Sequence, residues 1–219
     1  MNNELAQAIS NVVASIGAAA PSLTSAARTW TLYEAFTLCC LVEALSQLGA
    51  QFEVHDQDDT PTGTLVLRTK PGLLYSRDVP YTFIVARASG REYEIHSDVR
   101  VVGRSKVLHE IDVALLDRAE GIRCRQAQVS PRQAKVRFLA ECKFYGEALP
   151  LRIGREFLGL SSECTPRAKT IVSNVGSDSV HRMIVSHKGT ANFEVSPMTP
   201  ARVGEFVSWI ATELRQVLR

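Results

Sequence analysis

The stretch from Val136 to Tyr145 constrains the fold more than any other part of the chain. It reads Val-Arg-Phe-Leu-Ala-Glu-Cys-Lys-Phe-Tyr. Apolar, aromatic and β-branched residues crowd its first half. A polar Arg/Gln/Ser/Pro stretch precedes it and Gly146 follows, which favours a strand over a helix. Side chains at i and i+2 of a strand share a face. Glu141 and Lys143 should therefore project together, with Cys142 pointing the other way. Such apolar flanks predict a central, buried strand. An acid and a lysine on one buried face need each other or a third partner, because isolated buried charges are costly.

A second strand-like frame lies upstream, from Leu108 to Asp117. Alternation puts Ile111, Val113 and Leu115 on one face, and Glu110, Asp112 and Ala114 on the other. His109 faces away from Asp112 and reads as structural. Glu110 reads equally as an extra ligand or as a residue of the sheet rim. If the two frames pair as a hairpin, Asp112, Glu141 and Lys143 meet. Two carboxylates offer hard oxygen ligands to a magnesium ion and the water it activates. The amine can orient or deprotonate that water and offset charge on a phosphate. The competing reading is a cross-strand salt bridge on a solvated hairpin face.

Ile111-Asp112 followed by Ala140-Glu141-Cys142-Lys143 resembles the restriction-endonuclease-like, or PD-(D/E)xK, nuclease superfamily. Its motif is an Asp, a spacer, then (Asp/Glu)-x-Lys, and the likeness spans Trp30 to Met198. The resemblance implies an α/β fold with a mixed central β-sheet flanked by helices and the motif on adjacent strands. It implies metal-dependent hydrolysis of nucleic-acid phosphodiesters, with Mg²⁺ as cofactor and Mn²⁺ as a substitute. Asp112 and Glu141 would be metal ligands, Lys143 the catalytic lysine, and the Cys142 backbone carbonyl a further candidate ligand. One departure stands out: Ile111 occupies the place where a proline often precedes the Asp. A setting in bacterial restriction or phage defence is implied by the same likeness alone.

The 219 residues are 45% hydrophobic, enough for a substantial core. The expected organisation is one domain over 1–219, with an N-terminal helix and link (1–29), a core (30–200) and a C-terminal helix (201–219). A formal charge of +2 does not announce strong nonspecific nucleic-acid binding, so any basic surface must be local. Cys39, Cys40, Cys124, Cys142 and Cys164 show no CxxC spacing, which argues against a disulfide scaffold or structural zinc and fits a cytoplasmic location. The apolar stretches are too short to span a bilayer, and the N-terminus, with Glu4 and no basic region, predicts no signal peptide.

Periodicity predicts helices over 3–19 and 31–48, the second stopped by Gly49. In that second helix Glu34 falls on the face of Leu38, Leu41 and Leu45, whereas Glu43 falls opposite. Glu34 resembles in placement the acidic residue that superfamily members contribute to the metal site from the first core helix. Its other reading is a helix-start carboxylate that complements the dipole. The segment 50–62, with Asp56, Asp58 and Asp59, reads as a solvated acidic loop. Strands are expected over 64–69, 80–87 and 92–102, with a turn at Ser89-Gly90. Residues 117–135 read as a locally positive, solvated hairpin tip.

A helix over 151–162 follows, with an Arg152–Glu156 surface pair and Arg155 as a candidate nucleic-acid contact. A strand over 170–175, a helix from Ser177 to His187 and a strand over 191–195 suggest a parallel crossover. His181 and His187 read as surface residues. An amphipathic helix ends the chain. The leading expectation is a DNA endonuclease. The alternatives are a non-catalytic nucleic-acid-binding or assembly subunit, and a nuclease acting on RNA or structured DNA. No recognition domain is visible, so a homo-oligomer or a targeting or activating protein partner is expected, without membrane association.

Overall fold

The two strand frames read from the sequence lie side by side in the middle of a larger sheet. The computed structural model describes residues 1–19, 28–68 and 70–218. Its strands are β1 (Gln51–Asp56), β2 (Thr82–Ala88), β3 (Arg91–Val102), β4 (Leu108–Asp117), β5 (Val136–Lys143), β6 (Ala168–Ser173) and β7 (Ala191–Asn192). They form one seven-stranded sheet in sequence order. Neighbours from β1 to β5 are antiparallel, and β5–β6 and β6–β7 are parallel. The sheet is therefore mixed, and the expected crossover at β6–β7 is present.

Helices cover both faces. On one side pack α1 (Asn2–Ser15), α2 (Thr29–Gln47) and α6 (Pro200–Val217). On the other pack α3 (Arg118–Ala127), α4 (Leu151–Glu163) and α5 (Asp178–Ser186). The central helix is α2. It buries Leu32, Phe36, Leu38, Leu41 and Leu45, and also Cys39, Cys40 and Val42, so it is apolar around most of its circumference. Such a helix belongs in a core rather than on a surface. Leu5, Ile9 and Val13 of α1 and Phe206, Ile210 and Leu214 of α6 join the same cluster. Each such side chain contributes about 1.5–3 kcal/mol on full burial. Ser89 and Gly90, with φ of 52° and 73°, make the turn between β2 and β3. Two successive positive φ values match the twist of a two-residue hairpin.

Several expectations change. The acidic segment at 50–62 contains a strand, β1, whose polar side chains are held by partners. Glu53 accepts from Arg87 at 2.9 Å, and His55 Nδ1 lies 2.8 Å from Asp59. The expected strand at 64–69 is no strand in its described part. Its backbone contacts are isolated ones, such as the Ala19–Thr64 bridge and the Thr82 N–H on the Val66 carbonyl, and Thr69 lies outside the described residues, as does most of the 16–29 link. The supposed hairpin tip at 117–135 is the helix α3 and a short 3-10 turn at Gln133–Lys135. Its arginines are occupied: Arg118 and Arg125 on Glu94, Arg123 and Arg132 on Glu120. β7 is only two residues long. Ser177 stands at the N-cap of α5, but its hydroxyl donates to the Leu149 carbonyl at 3.0 Å and accepts no helix N–H. Among the described residues no helix is long and apolar enough to cross a membrane. All five cysteines are buried and free.

Candidate metal centre

Asp112 and the Glu141-Cys142-Lys143 triplet meet where β4 and β5 stop pairing. The last registered pair at that end is Val113 with Ala140. Beyond it, the Cys142 N–H donates to Asp112 Oδ2 at 2.7 Å. A side-chain acceptor thus replaces a ladder carbonyl. That contact fixes the Asp112 carboxylate, which is 7% exposed. Glu141 and Lys143 do share a face, and Lys143 Nζ lies 2.6 Å from Glu141 Oε1. Cys142 points the other way, into the cluster around α2.

The structure adds a residue that sequence reading missed. The register of β3 on β4 runs through Ser97–Val113 and Val99–Ile111, which sets Asp98 opposite Asp112. Asp98 has φ 47°, a left-handed conformation inside the longest strand. Non-glycine residues rarely take it, and such strain gathers at functional sites. Asp98 is 4% exposed, and its Oδ2 has no hydrogen-bond partner among the described residues. The signal was the polar run His96-Ser97-Asp98, which breaks the alternation of β3. All three are buried. The pleat also departs from simple alternation across the sheet: Ile111 joins the core under α3 and α4, while Val113 and Leu115 join that under α2, so the three do not share one face as expected.

From the second turn of α2, Glu34 completes the group. Ligand-capable atoms of Glu34, Asp98 and Asp112 all lie within 4.8 Å of one another. Glu141 stands beside this group but outside it, held by Lys143. The backbone of Cys142 serves the site through its N–H on Asp112. Arg155 is exposed on α4, and no contact or ion pair ties it to the acidic group. The expected ligand set of Glu34, Asp112, Glu141 and Cys142 is thus gathered only in part, with Asp98 in the place nearest the other two.

Electrostatics agree with the geometry. Burial, and then the negative charges of Asp98 and Asp112, push the Glu34 carboxyl up to about 9. Burial and Glu110 push Asp98 up to about 7. Burial and the neighbouring Glu141 carboxylate raise Asp112, with Lys143 and the Cys142 N–H opposing. Acids crowded in this way hold protons that a divalent cation would displace. Lys143 shows the converse: burial works against its charge, but Glu141 and Asp112 outweigh it and hold the amine above its ordinary value. Lys143 is therefore a fixed cation and hydrogen-bond donor, suited to orienting a water rather than deprotonating it.

A scan against family models and searches of curated proteins and of solved structures find no match.

A pH effect follows from the raised carboxyls. The folded protein keeps protons that the unfolded chain releases near pH 4. Stability falls with rising pH wherever the folded state binds more protons. One such proton costs about 1.4 kcal/mol per pH unit, or roughly 3–6 °C of Tm for a chain of this size. Burial lowers His96 to about 4, which gives the opposite slope, but only below its unfolded value. Between pH 7 and 8 the carboxyls dominate; above that the five buried thiols, raised by burial, steepen the same fall. Calorimetry in EDTA should show Tm falling between pH 7 and 8 for the native protein, and falling less steeply for Glu34→Gln, which keeps Asp98 and Asp112. A flat native profile would remove the crowded-acid account.

Proposed function

We propose that the chain is a metal-dependent nuclease of the restriction-endonuclease-like type, acting on DNA. The observation that carries this reading is the convergence of Glu34, Asp98 and Asp112 from a helix and two adjacent strands beside the Glu141–Lys143 pair. The topology supports it. A helix bearing the first acid, antiparallel strands bearing Asp112 and the Glu-x-Lys triplet, a helix, and a parallel strand follow in the order that the resemblance implies.

The donor set fits Mg²⁺ or Mn²⁺, since it is all carboxylate and one of its buried oxygens, Asp98 Oδ2, has no hydrogen-bond partner among the described residues. Glu34, Asp98 and Asp112 would hold the ion, with Glu141 next to them. A cation bound there supplies polarisation of the scissile phosphodiester and a lowered pKa for the attacking water. The protein's own part is positional. The Cys142 N–H keeps Asp112 in place. Lys143, held by Glu141, presents its ammonium to the attacking water or to a non-bridging phosphate oxygen. The core strand that carries both limits their freedom, which orients the reacting groups.

The test is nicking of supercoiled plasmid by the purified protein in Mg²⁺ or Mn²⁺, against EDTA, beside Lys143→Ala. The native protein should cleave only with metal, and the variant should lose about 10²–10⁴-fold in rate. A folded Lys143→Ala protein that cleaves at the native rate would refute the role. One observation favours a second reading, a non-catalytic assembly subunit on the same sheet: Glu141 and Lys143 satisfy each other directly at 2.6 Å. That subunit would show no Asp112-dependent stabilisation by Mn²⁺.

A further inference from the structure

The segment following Arg68 folds against β3 and closes a cavity of about 250 Å³. Arg68, Lys70, Ser76, Tyr81 and Arg100 are among its walls. Arg68 is the unusual member. It is 6% exposed, yet among the described residues no carboxylate lies within salt-bridge distance of it. Its guanidinium donates to the Leu73 carbonyl at 3.3 Å and lies 3.3 Å from the centroid of the Tyr81 ring. Tyr81 is held in turn by its hydroxyl, which donates to the Leu74 carbonyl at 2.5 Å.

Guanidinium carries five N–H donors, and a buried cation is costly to hold; the Asp98 carboxylate opposes that cost in part, without an ion pair to Arg68. The backbone makes room for it. A Cβ at Gly72 would come within 2.8 Å of Arg68 Nε. Lys70 and Arg100 are exposed and add two further cations at the cavity. Asp78 stands at the same rim, exposed, with its Oδ2 accepting from the Ser76 hydroxyl at 2.9 Å, and Glu110 lies opposite Arg100 across the β3–β4 pair, so carboxylates oppose part of the positive charge.

The cavity adjoins the acidic group. The Gly72 N–H donates to the Asp98 carbonyl at 2.9 Å, and the Arg100 N–H donates to the Gly72 carbonyl at 3.0 Å. The residue that presents a carboxylate to the metal group thus anchors the wall of the cavity through its backbone. Arg100 follows Asp98 by two residues on β3.

We propose that this cavity binds a phosphate of the nucleic-acid strand whose scissile phosphate lies at Glu34, Asp98 and Asp112. The proposal rests on the nuclease reading for the identity of the strand. The chemistry recognised is a phosphate oxyanion, with Arg68 as the buried donor and Lys70 and Arg100 as the outer charges. Arginine suits that role through its planar fork of donors.

The test has two arms. In EDTA, fluorescence anisotropy follows a labelled 20-base-pair DNA duplex across a salt series, with native protein, Lys70→Gln, Arg100→Gln and Gly72→Ala. Calorimetry follows inorganic phosphate with the same four proteins. Lys70→Gln and Arg100→Gln remove exposed charges and spare the fold. Gly72→Ala displaces Arg68 without removing its charge. Each of the first two should weaken duplex binding about 5–10-fold and lower the salt slope by about 1. Gly72→Ala should weaken it with little change of slope.

Unchanged duplex affinity in all three variants would overturn the proposal. If phosphate binding were lost in the variants while duplex binding stayed native, the cavity would be a site for free phosphate, and the assignment to a strand would fall. The nuclease reading is judged separately, by metal-dependent cleavage and its loss in Lys143→Ala. Cleavage with silent cavity variants sinks the cavity alone. Weakened duplex binding in a protein that never cleaves keeps the cavity and sinks the nuclease.

Discussion

A Glu94→Ala protein is expected to lose about 3–5 kcal/mol of folding stability, the cost of removing one partner from a buried ion cluster. Glu94 is fully buried on β3. Its carboxylate accepts from Arg118, from both terminal nitrogens of Arg125 at 2.9 and 2.6 Å, and from His96 at 2.8 Å. Burial works to raise its pKa, but the bonds from Arg125 and His96 overcome that and hold it at about 2. Phe83 floors the cluster, 4.5 Å from the Arg125 guanidinium and stacked on His96 at 5.0 Å. Truncation at Glu94 leaves Arg118 and Arg125 with only the partly exposed Asp59 between them.

The same cluster docks α3. A Cβ at Gly121 would fall 2.0 Å from Glu94 Oε2, so the helix reaches the sheet only with glycine there. Urea unfolding of Glu94→Ala beside Glu92→Ala is the measurement. Glu92 makes a 2.8 Å pair with Arg87, but both are largely exposed, and its loss should cost under about 1 kcal/mol. Equal midpoints for the two variants would refute the clamp.

This cluster marks where sequence reading stopped. Strands β4 and β5 were legible because each is a run of apolar and β-branched residues, buried on both faces and bounded by polar breaks, and α2 because its apolar residues recur at helical spacing. The face of Glu34 followed from that spacing alone. Helix α3 has no such stripe. Arg-Ala-Glu-Gly-Ile-Arg-Cys-Arg-Gln-Ala is polar around most of its circumference and contains a glycine. What holds it is the docking of Arg118, Arg125 and Gly121 on Glu94, a contact between residues far apart in sequence. β1 was hidden likewise, because Glu53, His55 and Asp59 look solvated until Arg87 and Arg118 are placed beside them. Asp98 was obscured for a different reason. Its one signal was the polar run His96-Ser97-Asp98, and only its left-handed backbone and its register opposite Asp112 bring it into the site.

The second large effect concerns Asp112, where stability and function should move in opposite directions. Asp112→Asn keeps an oxygen that can accept the Cys142 N–H, now 2.7 Å from Oδ2. It removes a buried charge that crowds Glu34, Asp98 and Glu141. In EDTA the variant should therefore be more stable than the native protein, by about 0.5–2 kcal/mol. With Mn²⁺ the order should reverse. A native site filled to 100 times its dissociation constant gains about 2.7 kcal/mol, whereas the variant should gain almost nothing, and its plasmid cleavage should fall at least about 10³-fold.

Calorimetric unfolding of both proteins with EDTA and with Mn²⁺ gives all four values. If Asp112 instead serves a structural salt bridge with Lys143, the variant is less stable in EDTA and both proteins ignore the metal. The crossing of the two orders is what a site built to hold a cation requires. Crowding of Glu34, Asp98 and Asp112 destabilises the empty fold, as repulsion or as the protons it must hold to avoid it, and a divalent cation among them relieves both.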